Sequence, residues 1–145
     1  MKVRENMQEA VKVLKIQPVH WQSMHRHVKA QAPLEVCGLL AGKQNVVEAV
    51  LKVRNAEQSP VRFRMDPEEQ LNALEWIEAN GLELVGIYHS HPAGPEIASA
   101  TDIAEAAYDV VHVIWSRPGR FWKARGFWIE AGEVTEVDIQ IVNEK

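Results

Sequence analysis

The chain has 145 residues, of which 46% are hydrophobic and 25% are charged, a composition typical of one soluble globular domain. Its formal net charge of −4 and isoelectric point near 5.9 argue against a nucleic-acid-binding surface, which needs clustered basic residues. No apolar stretch is long enough to span a membrane, and residues 1–9 lack the apolar core of a signal peptide, so we expect a cytoplasmic protein. The single cysteine, Cys37, excludes an internal disulfide and a Cys-x-x-Cys metal site.

Hydrophobic spacing predicts the elements of the N-terminal third of the chain. Apolar residues indicate a short strand over residues 11–16, followed by a helix over residues 19–32 that ends before Pro33. Residues 34–42 form an apolar run, and a turn then leads into residues 46–54. We therefore predict a hairpin of two strands after the first helix.

The middle of the chain contains a clear helix signal. Residues 55–60 are polar and predict a loop, whereas alternating apolar residues and arginines predict a short strand over residues 61–65 with one basic face. Asp66 and Pro67 then predict a helix start, with Asp66 as the N-cap. The predicted helix ends at residues 80–81, and its apolar stripe comprises Leu71, Leu74 and Ile77.

The C-terminal half alternates strands with one short helix. Residues 84–88 are entirely apolar and predict a strand buried on both faces, continuing to His91. The remaining predicted elements are a helix over 99–107 and strands over 110–115, 121–129 and 137–141. The fold class is therefore α/β or α+β, with residues 1–145 forming a single domain whose mixed sheet is flanked by about three helices.

Residues 89–102 carry the strongest indication of chemistry. Because alternate residues of a strand point the same way, His89 and His91 project side by side from the end of the buried strand. Ser99 and Asp102 lie where the next helix begins. Two imidazoles and a carboxylate brought together there form a three-ligand set for zinc, with a fourth position open for water.

These residues also have simpler explanations. Histidines near a strand end can be exposed, and Ser99-x-x-Asp102 is a helix-capping pattern. Capping is compatible with metal binding, because Asp102 on the first helical turn can still face the strand end. A second His-x-His, formed by His25 and His27, falls within the first predicted helix, where residues two apart point to different faces. We predict that this pair is on the surface and binds no metal.

The motif His89-x-His91, Ser99 and Asp102, with the upstream Glu35, resembles the JAMM motif of the MPN/Mov34/PAD-1 zinc metallopeptidases. Its spacing matches throughout, and the resemblance extends over residues 10–140. The chain resembles the compact prokaryotic members, because it is too short for the long insertions of ubiquitin-specific eukaryotic relatives. The resemblance implies a mixed, curved sheet of the MPN type, with an architecture similar to that of the cytidine deaminases.

The resemblance also implies a role for each motif residue. His89, His91 and Asp102 would ligate one Zn²⁺ per chain, with water as the fourth ligand. Glu35 would act as the catalytic base that takes a proton from the zinc-activated water and then returns it, as an acid, to the leaving amine. Ser99 would be the second catalytic residue, donating a hydrogen bond to the developing oxyanion.

The implied reaction is hydrolysis of an isopeptide or peptide bond after the Gly-Gly tail of a ubiquitin-like or sulfur-carrier protein. No organic cofactor, nucleic acid or membrane is implied, and a homodimer is compatible with the sequence. A flexible tail suits recognition by strand addition, for which residues 61–65 are a candidate edge. Two positions depart from the family pattern: Ala98 replaces a frequent proline, and Glu96 adds an acidic group that can either compete as a ligand or face solvent.

Three other functions fit this sequence less well. A non-catalytic scaffold or binding module of the MPN type would usually lack at least one ligand, and this chain lacks none. A zinc deaminase needs a Pro-Cys-x-x-Cys pair, which the single Cys37 cannot supply. We expect Cys37 to be a buried structural thiol. The DNA-repair-associated branch of the superfamily usually has asparagine between the two histidines, where this chain has Ser90.

Overall fold

The computed structural model describes residues 11–143, so the expectation for residues 1–9 lies outside the described residues. Within that range it contains seven strands and three helices. None of the described helices is long and apolar enough to cross a membrane. The elements are β1 (Val13–Ile16), α1 (Pro18–Gln31), β2 (Cys37–Lys43), β3 (Val46–Val53), α2 (Pro67–Ala79), β4 (Glu83–His91), α3 (Ala100–Ala104), β5 (Val111–Ser116), β6 (Lys123–Glu130) and β7 (Glu133–Ile141).

The seven strands form one mixed sheet in the order β1-β3-β2-β4-β5-β6-β7, which closes on itself as a barrel. Closure arises because β1 pairs in parallel with both β3 and β7. The neighbours of β4 are β2, which runs antiparallel to it, and β5, which runs parallel. The predicted α+β class, with a mixed sheet and three helices, is confirmed. The barrel closure was not predicted, because it depends on pairing between the two ends of the chain.

Strand β4 is the central element, and the side chains from Leu84 to His91 are all buried. Tyr88 belongs to a cluster that includes Met24 and Val28 of α1, whereas Ile87 belongs to a cluster that includes Leu74 and Ile77 of α2. Both faces of β4 therefore pack against apolar side chains, as its uninterrupted apolar sequence predicted. Because residues 87, 89 and 91 share a face, both motif histidines lie on the α2 side of the sheet.

Residues 61–65 were predicted to form a strand, and that prediction is wrong. Within this segment only Met65 makes a β-bridge, an isolated one with Asn55. The Asn55 side chain holds the segment instead: its amide donates to the Arg62 carbonyl, and its oxygen accepts the Arg64 N–H. Because one buried amide side chain satisfies these backbone groups, no regular ladder forms here. The segment consequently lacks the strand edge that we had suggested for substrate addition.

Helix α2 begins as predicted, with the Asp66 carboxylate accepting the backbone N–H groups of residues 68 and 69. Its buried stripe consists of Ala73, Leu74 and Ile77, whereas Leu71 is 55% exposed, contrary to prediction. Helix α3 is shorter than the predicted 99–107 and ends at Ala104. Ile141 of the last strand is also exposed, although β7 buries Val137 as expected.

The second histidine pair packs against the sheet more closely than predicted. His27 Nδ1 lies 2.7 Å from the Tyr88 hydroxyl, and the His25 ring stacks on Trp115 with 5.4 Å between centroids. Both rings are half-buried. Neither belongs to the metal-competent cluster of donor groups found in the described part of the chain. Cys37, in contrast, is fully buried as predicted.

Gly38→Ala is expected to destabilise the protein by about 2 kcal/mol or more. A Cβ at Gly38 of β2 would overlap the Tyr88 ring and lie 2.7 Å from the Leu51 carbonyl oxygen, which is backbone and cannot swing away. Chemical denaturation of the purified variant measures the loss. Gly119→Ala is the matched control, because a Cβ there meets no atom within 4 Å and its effect should stay within about 0.5 kcal/mol. Equal stability of the two variants would contradict the packing described here.

Candidate active site

Pairing of β2 with β4 brings Glu35 to the two motif histidines. The strands run antiparallel with Cys37 opposite His89, so the residues just before β2 reach the end of β4 at His91. Ser90 fixes this approach: its N–H donates to the Val36 carbonyl at 3.1 Å, and its hydroxyl accepts the Val36 N–H at 2.9 Å. Sequence reasoning gave Ser90 no role, because its partner is 54 residues away in the chain.

The three ligands predicted from the sequence come together in the structure. His91 Nε2 lies 3.1 Å from one Asp102 carboxylate oxygen, and His89 Nε2 lies 4.0 Å from the other. One donor atom each from Glu35, His89 and His91 lies within 4.8 Å of the others. These three side chains are buried, and the Asp102 side chain is only 7% exposed. Two imidazoles and two carboxylates therefore share one protected volume.

The loop after β4 orients His91. His91 Nδ1 lies 2.8 Å from the carbonyl oxygen of Pro95, so this nitrogen carries the hydrogen and Nε2 is left to face Asp102. A hydrogen bond to the outer ring nitrogen is the usual way in which a protein fixes a metal-binding imidazole. The loop therefore presents the correct nitrogen of His91 to the site.

His89 has no hydrogen-bond partner on either ring nitrogen among the described residues, although its side chain is completely buried. Burial holds the pKa of His89 well below its usual value, so the ring is neutral and has a lone pair to offer. A buried imidazole without a partner is costly unless a ligand satisfies it. A metal ion held between His89, His91 and Asp102 would do so, and the nitrogen and oxygen donors are those that zinc accepts.

The two carboxylates have opposite electrostatic environments. Burial raises the pKa of Glu35 to about 7, and the neighbouring His91 and Asp102 act on it in opposite directions. For Asp102, burial acts to raise the pKa, but the His91 hydrogen bond and the nearby His89 hold it well below its usual value. Glu35 is therefore suited to proton exchange near neutral pH, whereas Asp102 stays ionised.

Ser99 caps α3 through a reciprocal pair of hydrogen bonds. Its hydroxyl accepts the Asp102 N–H at 3.0 Å, and its own N–H donates to an Asp102 carboxylate oxygen at 2.9 Å. The predicted capping pattern is confirmed. Because the hydroxyl accepts in this pair, its hydrogen remains to be donated elsewhere. The cap also fixes the Asp102 carboxylate beside the histidines.

The two departures from the family pattern lie away from the donor cluster. Glu96 faces Arg125, with 3.9 Å between its carboxylate and the guanidinium. Ala98 is buried and packs in a small apolar cluster with Ile114 and Phe127.

A cavity of about 250 Å³ is lined by site residues that include Glu35, His91 and Asp102, and its walls also include residues that sequence reasoning missed. Phe63 lines it and stacks on the His89 ring with 4.5 Å between centroids. His112 of β5 also lines it, and burial lowers the pKa of His112 to about 4. Neither residue lies in the motif. His112 reaches the site because β5 pairs with β4, and Phe63 reaches it because the 61–65 loop packs against His89.

The chain is similar to a known protein family, to characterised relatives and to a solved structure. Residues 17–125 match the family described as prokaryotic homologs of the JAB domain. The chain is 42% identical over 127 residues to a desampylase of Pyrococcus furiosus, covering 86% of this chain and 88% of that protein. It is 40% identical over 108 residues to a probable TtuB-protein conjugate cleaving protease of Thermus thermophilus, covering 74% and 70%. A Desulfitobacterium hafniense protein solved in solution matches with a TM-score of 0.82 and 33% identity, covering 90% of this chain and 94% of that one.

Proposed function

This chain belongs to the family of prokaryotic homologs of the JAB domain, and we propose that it is a zinc-dependent metallopeptidase. Its proposed reaction is hydrolysis of the peptide or isopeptide bond after the Gly-Gly tail of a ubiquitin-like or sulfur-carrier protein in the cytoplasm. The single observation that carries the proposal is the burial of Glu35 against His89 and His91 in one donor cluster. The substrate class follows from similarity to a desampylase and to a protease named for cleaving TtuB conjugates.

The residues support a three-ligand zinc site. We assign His89, His91 and Asp102 as the ligands, because the two imidazoles and the ionised carboxylate converge at the end of β4. This assignment leaves Glu35 free for proton transfer. A bound zinc ion would supply Lewis-acid chemistry, lowering the pKa of water and polarising the scissile carbonyl.

Glu35 is proposed to carry the proton through the reaction. Its carboxylate takes a proton from the attacking water as the new bond from oxygen to the carbonyl carbon forms. It then gives that proton to the amine nitrogen as the carbon–nitrogen bond breaks. The products are an amine and a carboxylic acid, whose remaining proton, the second one of the water, passes to solvent or to the released amine. Burial raises the pKa of Glu35, which favours a carboxyl group that both accepts and returns a proton.

Ser99 is proposed to stabilise the charge that develops on the carbonyl oxygen. Its hydroxyl already accepts the Asp102 N–H, so the orientation of the oxygen is fixed before substrate binds. A donor held in place in this way costs no reorganisation during the reaction. The cap and the oxyanion contact therefore use different parts of the same hydroxyl.

Ser99→Ala is expected to lower kcat by about 10²-fold to 10³-fold, because it removes the oxyanion donor. It should also cost about 1 kcal/mol of stability, because the α3 cap is lost. Steady-state kinetics and chemical denaturation of the same preparation measure both effects. The control is Ser59→Ala, which removes a hydroxyl that accepts the Val61 N–H in an exposed loop. A loss of stability without a loss of kcat would mean that Ser99 only caps α3 and takes no part in catalysis.

Removal and return of the metal tests the function as a whole. We expect that a chelator abolishes cleavage of carriers fused to a second protein after a Gly-Gly tail. One equivalent of zinc per chain should restore it, as followed by the masses of the products. Cleavage that persists in metal-free protein, or failure of the chain to bind zinc, would refute the proposal. A chain that binds zinc but cleaves no tail-bearing carrier of its own cell would instead favour a non-catalytic scaffold.

A further inference from the structure

A second cleft, of about 300 Å³, lies between the C-terminal half of α1 and the loop that joins β5 to β6. We call it the basic cleft, because its walls are mainly basic and aromatic and include His25, Lys29, Arg117, Arg120, Phe121 and Trp122. It shares no lining residue with the cavity at the candidate metal site. The basic cleft is therefore a separate feature of the surface, and the proposed reaction gives it no role.

Both walls of the basic cleft lack acidic residues, although the chain has 20 aspartates and glutamates and a net charge of −4. Helix α1 contains no carboxylate side chain, and residues 116–124 carry three positive charges and no negative one. Lys29, Arg117 and Arg120 make no ion pair with a carboxylate in the part of the chain that the structure describes. The positive charge of the cleft is therefore uncompensated and attracts an anionic partner.

Aromatic rings hold the two arginines of the basic cleft. The Arg117 guanidinium carbon lies 5.5 Å from the centroid of the Trp122 ring, and that of Arg120 lies 5.8 Å from the centroid of the Phe121 ring. A guanidinium stacked in this way can still donate hydrogen bonds from its edge to a carboxylate. Phe121 itself is 72% exposed. Arginine and large aromatic residues are enriched where proteins contact each other, so the cleft has the composition of a protein-binding surface.

Strand pairing places the basic cleft at the same end of the sheet as the proposed zinc site. Ser116, the last residue of β5, pairs with His91, the last residue of β4, so the loop of residues 117–122 leaves the sheet beside a proposed ligand. The other wall belongs to α1, which packs on the face of the sheet opposite to α2. The cleft and the zinc site therefore lie at one end of the sheet but on opposite faces, where a single folded substrate can contact both.

The proposed substrate has two parts, a carrier protein and the group joined to its tail. The carrier is common to all conjugates, whereas the group on the amine side varies from one conjugate to the next. A fixed docking surface therefore suits the carrier. Binding of the tail in the active site would hold the folded body of the carrier close to the cleft, so even a weak second contact would add to the affinity.

We propose that the basic cleft is a docking surface for an acidic face on the folded body of the carrier protein. Arg117 and Arg120 pair with carboxylates of the carrier, and the exposed Phe121 ring packs against its surface. This inference rests on the proposed peptidase function. It makes the preferred substrate a carrier with clustered aspartates or glutamates, recognised through its body as well as through its Gly-Gly tail.

Two substrates with the same scissile bond test the contact. One is a whole carrier of the protein's own cell, fused after Gly-Gly to a second protein, and the other is a short synthetic peptide with the same tail but no folded body. The double variant Arg117→Glu/Arg120→Glu should raise KM for the whole carrier by at least about 10-fold and leave kcat unchanged. Its KM for the short peptide should equal that of the wild-type protein, because the peptide does not reach the cleft.

The matched control is Lys12→Glu/Lys43→Glu, which makes the same change in net charge at the opposite end of the sheet. Both lysines are exposed, and Lys43 ends β2 away from the site. This control should change neither KM. Phe121→Ala should raise KM for the whole carrier by about 5-fold without lowering Tm, because the ring is exposed. An equal rise of KM on the carrier and the peptide, or an equal effect of the control, would overturn the proposal.

A binding measurement separates this inference from the proposed function. The wild-type protein and the Arg117→Glu/Arg120→Glu variant are titrated calorimetrically, at low salt, with carriers of the same cell from which the two terminal glycines have been deleted. Binding that the variant loses and that added salt weakens supports the inference, even if the wild-type protein cleaves no carrier and the proposed function fails.

The opposite results are equally informative. If the wild-type protein cleaves a carrier but the variant has the same KM for it, the inference fails and the proposed function stands. Absence of binding by every truncated carrier also overturns the inference. A dimer of the wild-type protein that the variant dissociates, with KM unchanged, would assign the basic cleft to a second copy of this chain instead.

Discussion

Glu35→Gln is expected to retain the metal and to lose about 10²-fold to 10⁴-fold in kcat, the range associated with loss of a general acid–base group. Glutamine has the same size as glutamate and can keep hydrogen bonds in the site, but it cannot exchange a proton near pH 7. The loss should be at the upper end of the range, because one residue serves as both base and acid. Cleavage of a Gly-Gly-tailed fusion and the zinc content of the same sample measure the two effects.

The outcome of this substitution also decides whether Glu35 is a ligand. Its carboxylate lies within 4.8 Å of donor atoms on both motif histidines, so geometry alone also allows it to bind a metal. If Glu35→Gln loses zinc as well as activity, the ligand assignment proposed above is wrong. Glu133→Gln, at an exposed position at the start of β7, is the matched control and should change neither quantity.

Asp102→Asn is expected to weaken zinc binding by more than about 10²-fold and to reduce kcat/KM in proportion at limiting zinc. Removing a group that only supports a ligand already costs about 10-fold to 100-fold in affinity, so loss of an anionic ligand should exceed this range. Asparagine retains an oxygen that can accept the Ser99 N–H, so the cap of α3 should largely survive. Chelator competition gives the zinc affinity, and saturating zinc should recover part of the activity.

Asp66→Asn is the control for the capping role of Asp102. Asp66 caps α2 by accepting the N–H groups of Glu68 and Glu69, in an exposed position. We expect this substitution to change stability by no more than about 1 kcal/mol and to leave zinc affinity unchanged. If Asp102→Asn also leaves the zinc affinity unchanged, Asp102 only caps α3, and other residues must be the zinc ligands.

Residues 61–65 show where sequence patterns fail for this protein. Alternating apolar and basic residues predicted a strand, because alternation is the signature of a half-buried strand. In the structure, the amide of Asn55 satisfies backbone groups of this segment, so it remains a loop. Its Phe63 packs on His89 instead of joining a sheet. A single hydrogen-bonding side chain from just outside the segment therefore overrides its alternating pattern.

His112 was missed for a related reason. In the sequence it is one residue of an apolar strand, and nothing near it indicates a site. It reaches the cavity only because β5 pairs in parallel with β4 and sets His112 opposite Ile87. Leu71 of α2 illustrates the opposite error: helical spacing predicted burial, but the helix turns this residue to solvent. Burial depends on which neighbour an element meets, and spacing alone does not specify that neighbour.

Local sequence patterns were enough to predict those parts of the candidate site that lie within one element. Alternation along β4 sets His89 and His91 on one face, and the Ser99–Asp102 cap is closed by hydrogen bonds that span three residues. Both features depend on backbone geometry within a few residues, so spacing is enough to predict them. The role of Glu35 was predicted only from the resemblance to a family. Its position near His91 depends on pairing between strands more than 50 residues apart. That contact, the closure of the barrel and the placement of His112 depend on the three-dimensional fold, because long-range strand pairing selects which side chains meet.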